Sequence, residues 1–143
     1  MAKVRDILAQ KKIQQIISVQ PTTTVIEALG VMSEKNIGAV IVMENDQLVG
    51  IFSERDYARK GIVQGRKAKS TSMSEVMTPK VFTVDPDMTV RDCMQLMSDK
   101  YFRHLPVMEE GKVVGVLSVG DIVNNLITEQ RQHITFLESY ISS

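Results

Sequence analysis

The spacing of hydrophobic positions along this 143-residue chain changes several times, and each change predicts an element. Val25, Leu29 and Met32 recur at three- and four-residue intervals, as do Val90, Cys93 and Met97, which predicts a helix in each place. A proline stands upstream of each, Pro21 and Pro86. Thr24 with Glu27, and Thr89 with Asp92, have the spacing of a capping box at the helix start, Asp being the weaker partner. Short apolar runs follow, Ala39 to Met43 with Leu48 to Phe52, and Leu105 to Met108 with Val113 to Leu117. The polar turns Asn45-Asp46 and Glu110-Gly111 join them, so each pair reads as a hairpin. A second helix opens at Ser53 and at Ser118. The last one carries Ile122, Val123, Leu126, Ile127, Ile134, Leu137, Tyr140 and Ile141, with neither Gly nor Pro from Asp121 to the end to stop it.

These elements occur twice because the sequence does. A shift of 65 residues lays Val19 on Val84, Pro21 on Pro86, Thr24-Val25 on Thr89-Val90 and Met32-Ser33 on Met97-Ser98. It also lays Val42-Met43-Glu44 on Val107-Met108-Glu109, Val49-Gly50 on Val114-Gly115, Ser53 on Ser118 and Asp56 on Asp121. The copies differ at their entrances. Val4 to Leu8 is similar to Met73 to Met77, but the first copy has four extra residues before the common strand. A unit of about 60 residues with one small sheet buries little apolar surface alone. The expected organisation is therefore a first unit over 1–62, a polar linker over 63–73, a second unit over 74–128 and a helical extension over 129–143.

Charge and composition then exclude whole classes of function. Lys plus Arg equals Asp plus Glu at 17 each, so no net field holds a nucleic acid or an anionic membrane. No apolar run approaches the ~20 residues that span a bilayer, and the N-terminus lacks the pattern of a secretory signal, which predicts a cytoplasmic protein. Cys93 is the single cysteine, on the apolar side of a helix, and is expected to be a buried structural thiol. The only histidines, His104 and His133, lie in separate elements without ligand spacing, so no metal is required. With no glycine-rich phosphate loop and no paired acid and base, the chain is expected not to be an enzyme.

The order helix, strand, strand, helix, closed by Gly50-Ile51-Phe52-Ser53-Glu54-Arg55-Asp56 and by Gly115-Val116-Leu117-Ser118-Val119-Gly120-Asp121, resembles the CBS domain. Val76-Met77-Thr78-Pro79 and Arg103-His104-Leu105-Pro106-Val107 strengthen the likeness, which runs from Val4 to Ile127. It implies a mixed α/β (α+β) fold of two pseudo-symmetric units with their small sheets packed together, flanking helices and an extended C-terminal helix. It also implies a regulatory module that binds AMP, ADP, ATP, NAD(H) or S-adenosylmethionine in clefts between the copies and pairs into a homodimer.

By itself a Ser-x-x-Asp motif is a helix cap. The resemblance makes Asp56 and Asp121 ribose ligands, since a carboxylate can accept from both hydroxyls. One site would combine Ser118, Gly120 and Asp121 with Ile17, Ile37 and Gly38; the other would combine Ser53, Arg55 and Asp56 with Thr78, Phe82, Phe102 and Arg103. His104 is a further candidate, set against the reading of a hydrogen-bonded core histidine. Because Arg55 corresponds to Gly120 and Arg103 to Gly38, the Arg55 site is expected to hold phosphates more firmly. The C-terminal helix would pack on its own module, cross to a second chain or dock a client protein. Two competing functions are a constitutive adaptor that senses nothing and a nucleic-acid binder using Arg59, Lys60, Arg66, Lys67 and Lys69. Neutral charge and five per cent aromatic residues weaken the latter.

Overall fold

A computed structural model describes residues 2–11 and 15–142. The stretch that contains the four extra residues of the first copy thus falls partly outside the described residues, as do the terminal positions Met1 and Ser143 of the expected division. The elements run α1 (Val4–Gln10), β1 (Ser18–Val19), α2 (Val25–Lys35), β2 (Ala39–Glu44), β3 (Gln47–Ser53) and α3 (Glu54–Asp56), which widens into a π-turn over Tyr57–Ile62. They continue with α4 (Met73–Val76), α5 (Val90–Lys100), β4 (His104–Glu109), β5 (Lys112–Ser118) and α6 (Val119–Ser142). The fold is mixed α/β with two small sheets, flanking helices and a long C-terminal helix.

Both hairpins close on two residues with positive φ, Asn45 and Asp46 in one and Glu110 and Gly111 in the other. Such turns match the twist of the strands they join. The sheets are near copies: β1 runs parallel to β2 through Val19 and Val42, and the second copy keeps that pairing as a single bridge between Val84 and Val107. Even the ladder irregularity recurs, between Val42 and Met43 and between Val107 and Met108.

Strand alternation assigns each face. Val40, Val42 and Phe52 point into a core with Val25, Ala28 and Met32 of α2, while Leu105, Val107 and Leu117 point into one with Val90, Cys93 and Met97 of α5. Ile41 and Pro106, equivalent positions on the opposite faces, are fully buried yet belong to neither helix-backed core. The inner faces of the two sheets account for them.

The entrance helices are exchanged. Val4 and Ile7 of α1 lie in the core of the second copy, and Met73 and Val76 of α4 lie in the core of the first. Each incoming segment crosses the opposite hairpin over a glycine: a Cβ on Gly50 would stand 2.5 Å from Met77 Sδ, and one on Gly115 would stand 2.7 Å from Leu8 Cδ2. One of the two expected caps is only half formed. Thr24 and Glu27 form a complete box, but at α5 the bond runs one way, from Asp92 N–H to Thr89 Oγ1 at 3.1 Å. Both helix starts are crossed alike, Val90 N–H donating to Ala2 O at 3.0 Å and Val25 N–H to Thr71 O at 2.8 Å, so the difference lies in the shorter side chain of Asp92 in the place of Glu27. Cys93 is fully buried, and burial pushes its thiol up to about 11.

Candidate functional site

Each Ser-x-x-Asp motif sits where a hairpin's second strand turns into a helix, and the turn is locked by reciprocal bonds. Ser118 N–H donates to Asp121 Oδ2 at 2.8 Å while Asp121 N–H donates to Ser118 Oγ at 3.1 Å. In the first copy Ser53 N–H donates to Asp56 Oδ2 at 2.9 Å, Asp56 N–H donates to Ser53 Oγ at 3.2 Å, and Ser53 Oγ–H also reaches Oδ2 at 3.1 Å. The next amide of each helix is tied to the residue that leads into the first strand of the same hairpin. Val119 N–H donates to Arg103 O at 3.0 Å, and Glu54 N–H donates to Gly38 O at 3.2 Å. Carboxylate placement is therefore fixed by backbone on both sides.

Around Asp121 opens a cleft of about 860 Å³, walled by both copies and by the end of α1. It brings together Ile17, Ile37, Gly38, His104, Ser118 and Asp121. Gly120 stands exposed in the first turn of α6, where a Cβ would meet nothing nearer than Ser118 Oγ at 3.6 Å. The His104 ring lies against Gly38, whose Cβ would be 3.5 Å from Nε2. Burial holds this imidazole below its ordinary pKa; Asp121 opposes the shift, Lys11 and Arg103 reinforce it, and Glu54 opposes it. Lys11 is the group that sequence reasoning missed. Its Nζ stands 2.9 Å from Asp121 Oδ2 and donates to Val116 O at 2.6 Å.

The Asp56 side is built differently. Thr78 pairs through its backbone with Ile51 of β3, donating N–H to Ile51 O at 2.8 Å and accepting from Ile51 N–H at 3.0 Å. That pairing carries the Thr78 hydroxyl to Asp56 Oδ1 at 3.4 Å. Lys60, also missed, reaches both, 3.5 Å from Asp56 Oδ1 and 3.3 Å from Thr78 Oγ1. Phe82 and Phe102 pack together with ring centroids 5.4 Å apart. Arg55 and Arg103 are both exposed. So Ser53, Asp56 and Thr78 form one contact group and Phe82 with Phe102 another, while the contribution of Arg103 to the hydrogen bonding is its carbonyl.

Comparison with known proteins identifies the fold. The family model described as CBS domain matches twice, over residues 4–62 and 73–128. The mitochondrial CBS domain-containing protein CBSX3 of Arabidopsis thaliana is 42% identical over 123 residues, covering 82% of this chain and 60% of its own length. The chain thus spans about three-fifths of that relative. A CBS-domain protein from Burkholderia ambifaria superposes with a TM-score of 0.87 at 41% identity, over 90% of this chain and 96% of its own. The CBS domain pair of MJ0100, in complex with 5-methylthioadenosine and S-adenosyl-L-methionine, gives 0.80 at 26% identity over 90% and 98%. CBSX2 in complex with AMP gives 0.75 at 26% over 91% and 99%. Two family matches on one chain, with the repeat and the interlocked cores that explain them, show that this protein belongs to the CBS-domain family as a tandem pair.

Proposed function

We propose that the chain is a regulatory module that binds an adenine nucleotide, AMP, ADP, ATP or NAD(H), in the Asp121 cleft, with a second site at Asp56. The observation that carries this reading is the cleft itself. Its volume of about 860 Å³ lies within the roughly 300–1,000 Å³ of small-molecule sites. Apolar Ile17 and Ile37 can flank an adenine, Asp121 offers a carboxylate to a ribose, and Lys11 and His104 supply nitrogen donors. Adenosine-type ligands in CBSX2 and MJ0100 support the same chemistry. No part of the reading calls for bond making, and CBS-domain proteins are generally regulatory.

Regulation needs a partner. The outer face of α6 leaves Val123, Ile127, Ile134, Leu137 and Ile141 exposed, Ile141 at 82%. We assign this face to a homodimer or to a client protein. Occupancy of the clefts, which join the two copies, would change how that surface is presented, provided the ligand favours one arrangement over another.

Calorimetric titration of nucleotide-free protein with AMP, ADP, ATP, NADH and S-adenosylmethionine tests the reading. At least one nucleotide should bind in the micromolar range, about 8 kcal/mol. A flat response to all five would refute it.

A further inference from the structure

We propose that Lys11 is the phosphate-reading cation of the Asp121 cleft: it rests on Asp121 and transfers to a nucleotide phosphate when ribose takes the carboxylate. This inference rests on the nucleotide reading of the cleft. Asp121 Oδ2 already accepts from Ser118 N–H at 2.8 Å and from Lys11 Nζ at 2.9 Å, which uses the two lone pairs of that oxygen. A ribose diol that engages both carboxylate oxygens must displace one donor. The Ser118 amide is backbone inside a helix cap, whereas the Lys11 ammonium ends a flexible four-carbon stem. Lys11 is the donor that yields.

Where the ammonium goes decides the specificity. Its side chain is 24% exposed and that of Asp121 is 19% exposed, so their attraction is only partly screened. Taking Lys11 off Asp121 without an anion to receive it is unfavourable. AMP brings that anion beside the ribose, adenosine brings none, and S-adenosylmethionine brings a sulfonium of the wrong sign.

The pseudo-symmetric half places its lysine differently: Lys60, from the same helix as Asp56, stands 3.5 Å from Oδ1, whereas Lys11 comes from the entrance segment and shares Oδ2 with the Ser118 amide. Val116 O, which accepts from Lys11, corresponds to Ile51 O, and there the donor is the backbone amide of Thr78. A backbone ladder cannot swing toward a ligand; a lysine anchored just past the end of α1 can. An ordinary surface ion pair would contribute little and discriminate nothing. The second bond to Val116 O and the position in the cleft wall set Lys11 apart from that case.

Calorimetry with AMP, adenosine and S-adenosylmethionine on the wild-type chain, Lys11→Met and Lys11→Arg, at low and high salt, tests the assignment. The wild type should favour AMP over adenosine, and more so at low salt. Lys11→Met should weaken AMP by about ten- to a hundredfold and leave adenosine unchanged or tighter, while Lys11→Arg restores most of the preference. An unchanged AMP-to-adenosine ratio in Lys11→Met would make Lys11 a static ion pair, and equal loss of both ligands would make it structural; either result overturns the proposal. If the wild type binds none of the three, the nucleotide reading falls and this inference with it. Circular dichroism establishes that each variant folds, and Lys11→Gln replaces Lys11→Met if the latter does not.

Discussion

The two halves of the molecule carry the same Ser-x-x-Asp turn, locked by the same backbone bonds, yet one opens a cleft behind its carboxylate and the other stitches an incoming strand onto its sheet. At Asp56 the chain leaving α4 pairs with β3 through Thr78, and the Thr78 hydroxyl and Lys60 converge on Oδ1. At Asp121 the chain leaving α1 lends a side chain, Lys11, to the positions of carboxylate and carbonyl. The capping chemistry is the same in both halves because each helix start has amides to satisfy. The approach of the entrance segment differs between the halves, through a side chain at Asp121 and through backbone pairing at Asp56.

Truncating the cores has the largest expected effect and tests whether the halves are separate at all. Phe52 and its equivalent Leu117 are both fully buried, in cores that each contain a helix from beside the other copy. Phe52→Ala and Leu117→Ala should each cost about 2–5 kcal/mol. Because the helices are exchanged, urea unfolding followed by circular dichroism should remain a single transition in both variants. Two resolved transitions would break the picture of interlocked halves.

A smaller effect separates the clefts by pH. His104 faces the Asp121 cleft, and its equivalent in the other half is Ala39. Burial lowers the His104 pKa in the folded chain, so the unfolded chain takes up this proton first as pH falls. The stability it contributes is present above the ordinary histidine value and is lost as pH drops through the lowered one. Wild-type protein should therefore lose more stability between pH 7.5 and 5 than His104→Gln. Parallel losses in urea titrations at the two pH values would place His104 outside a buried environment.

Much of this was legible in the sequence because it depends on local rules. Hairpin turns, helix faces and the two Ser-x-x-Asp caps follow from spacing and turn chemistry, and the repeat showed each of them twice. The entrances were not legible. Lys11 lies beside the four extra residues, where the 65-residue register does not apply, and its reach to Asp121 depends on α1 packing into the other copy. Lys60 follows Asp56 by four residues, a helical spacing that the sequence does display, but its reach to Thr78 depends on the strand pairing that brings Thr78 to Ile51. The half-formed box at Thr89 was legible, since Asp92 is a shorter partner than Glu27 and both helix starts are crossed by an entrance segment in the same way. Arginine placement had ranked the Asp56 cleft higher for phosphate; with Lys11 in the other cleft, that ground no longer orders the two.

If the Asp121 cleft is the principal adenine-nucleotide site, removing each carboxylate in turn must affect binding unequally. AMP titrated calorimetrically into the wild type, Asp56→Ala and Asp121→Ala should show the main saturable response lost, or weakened by about ten- to a hundredfold, in Asp121→Ala. It should be largely retained in Asp56→Ala. Retention in Asp121→Ala with loss in Asp56→Ala would contradict the account.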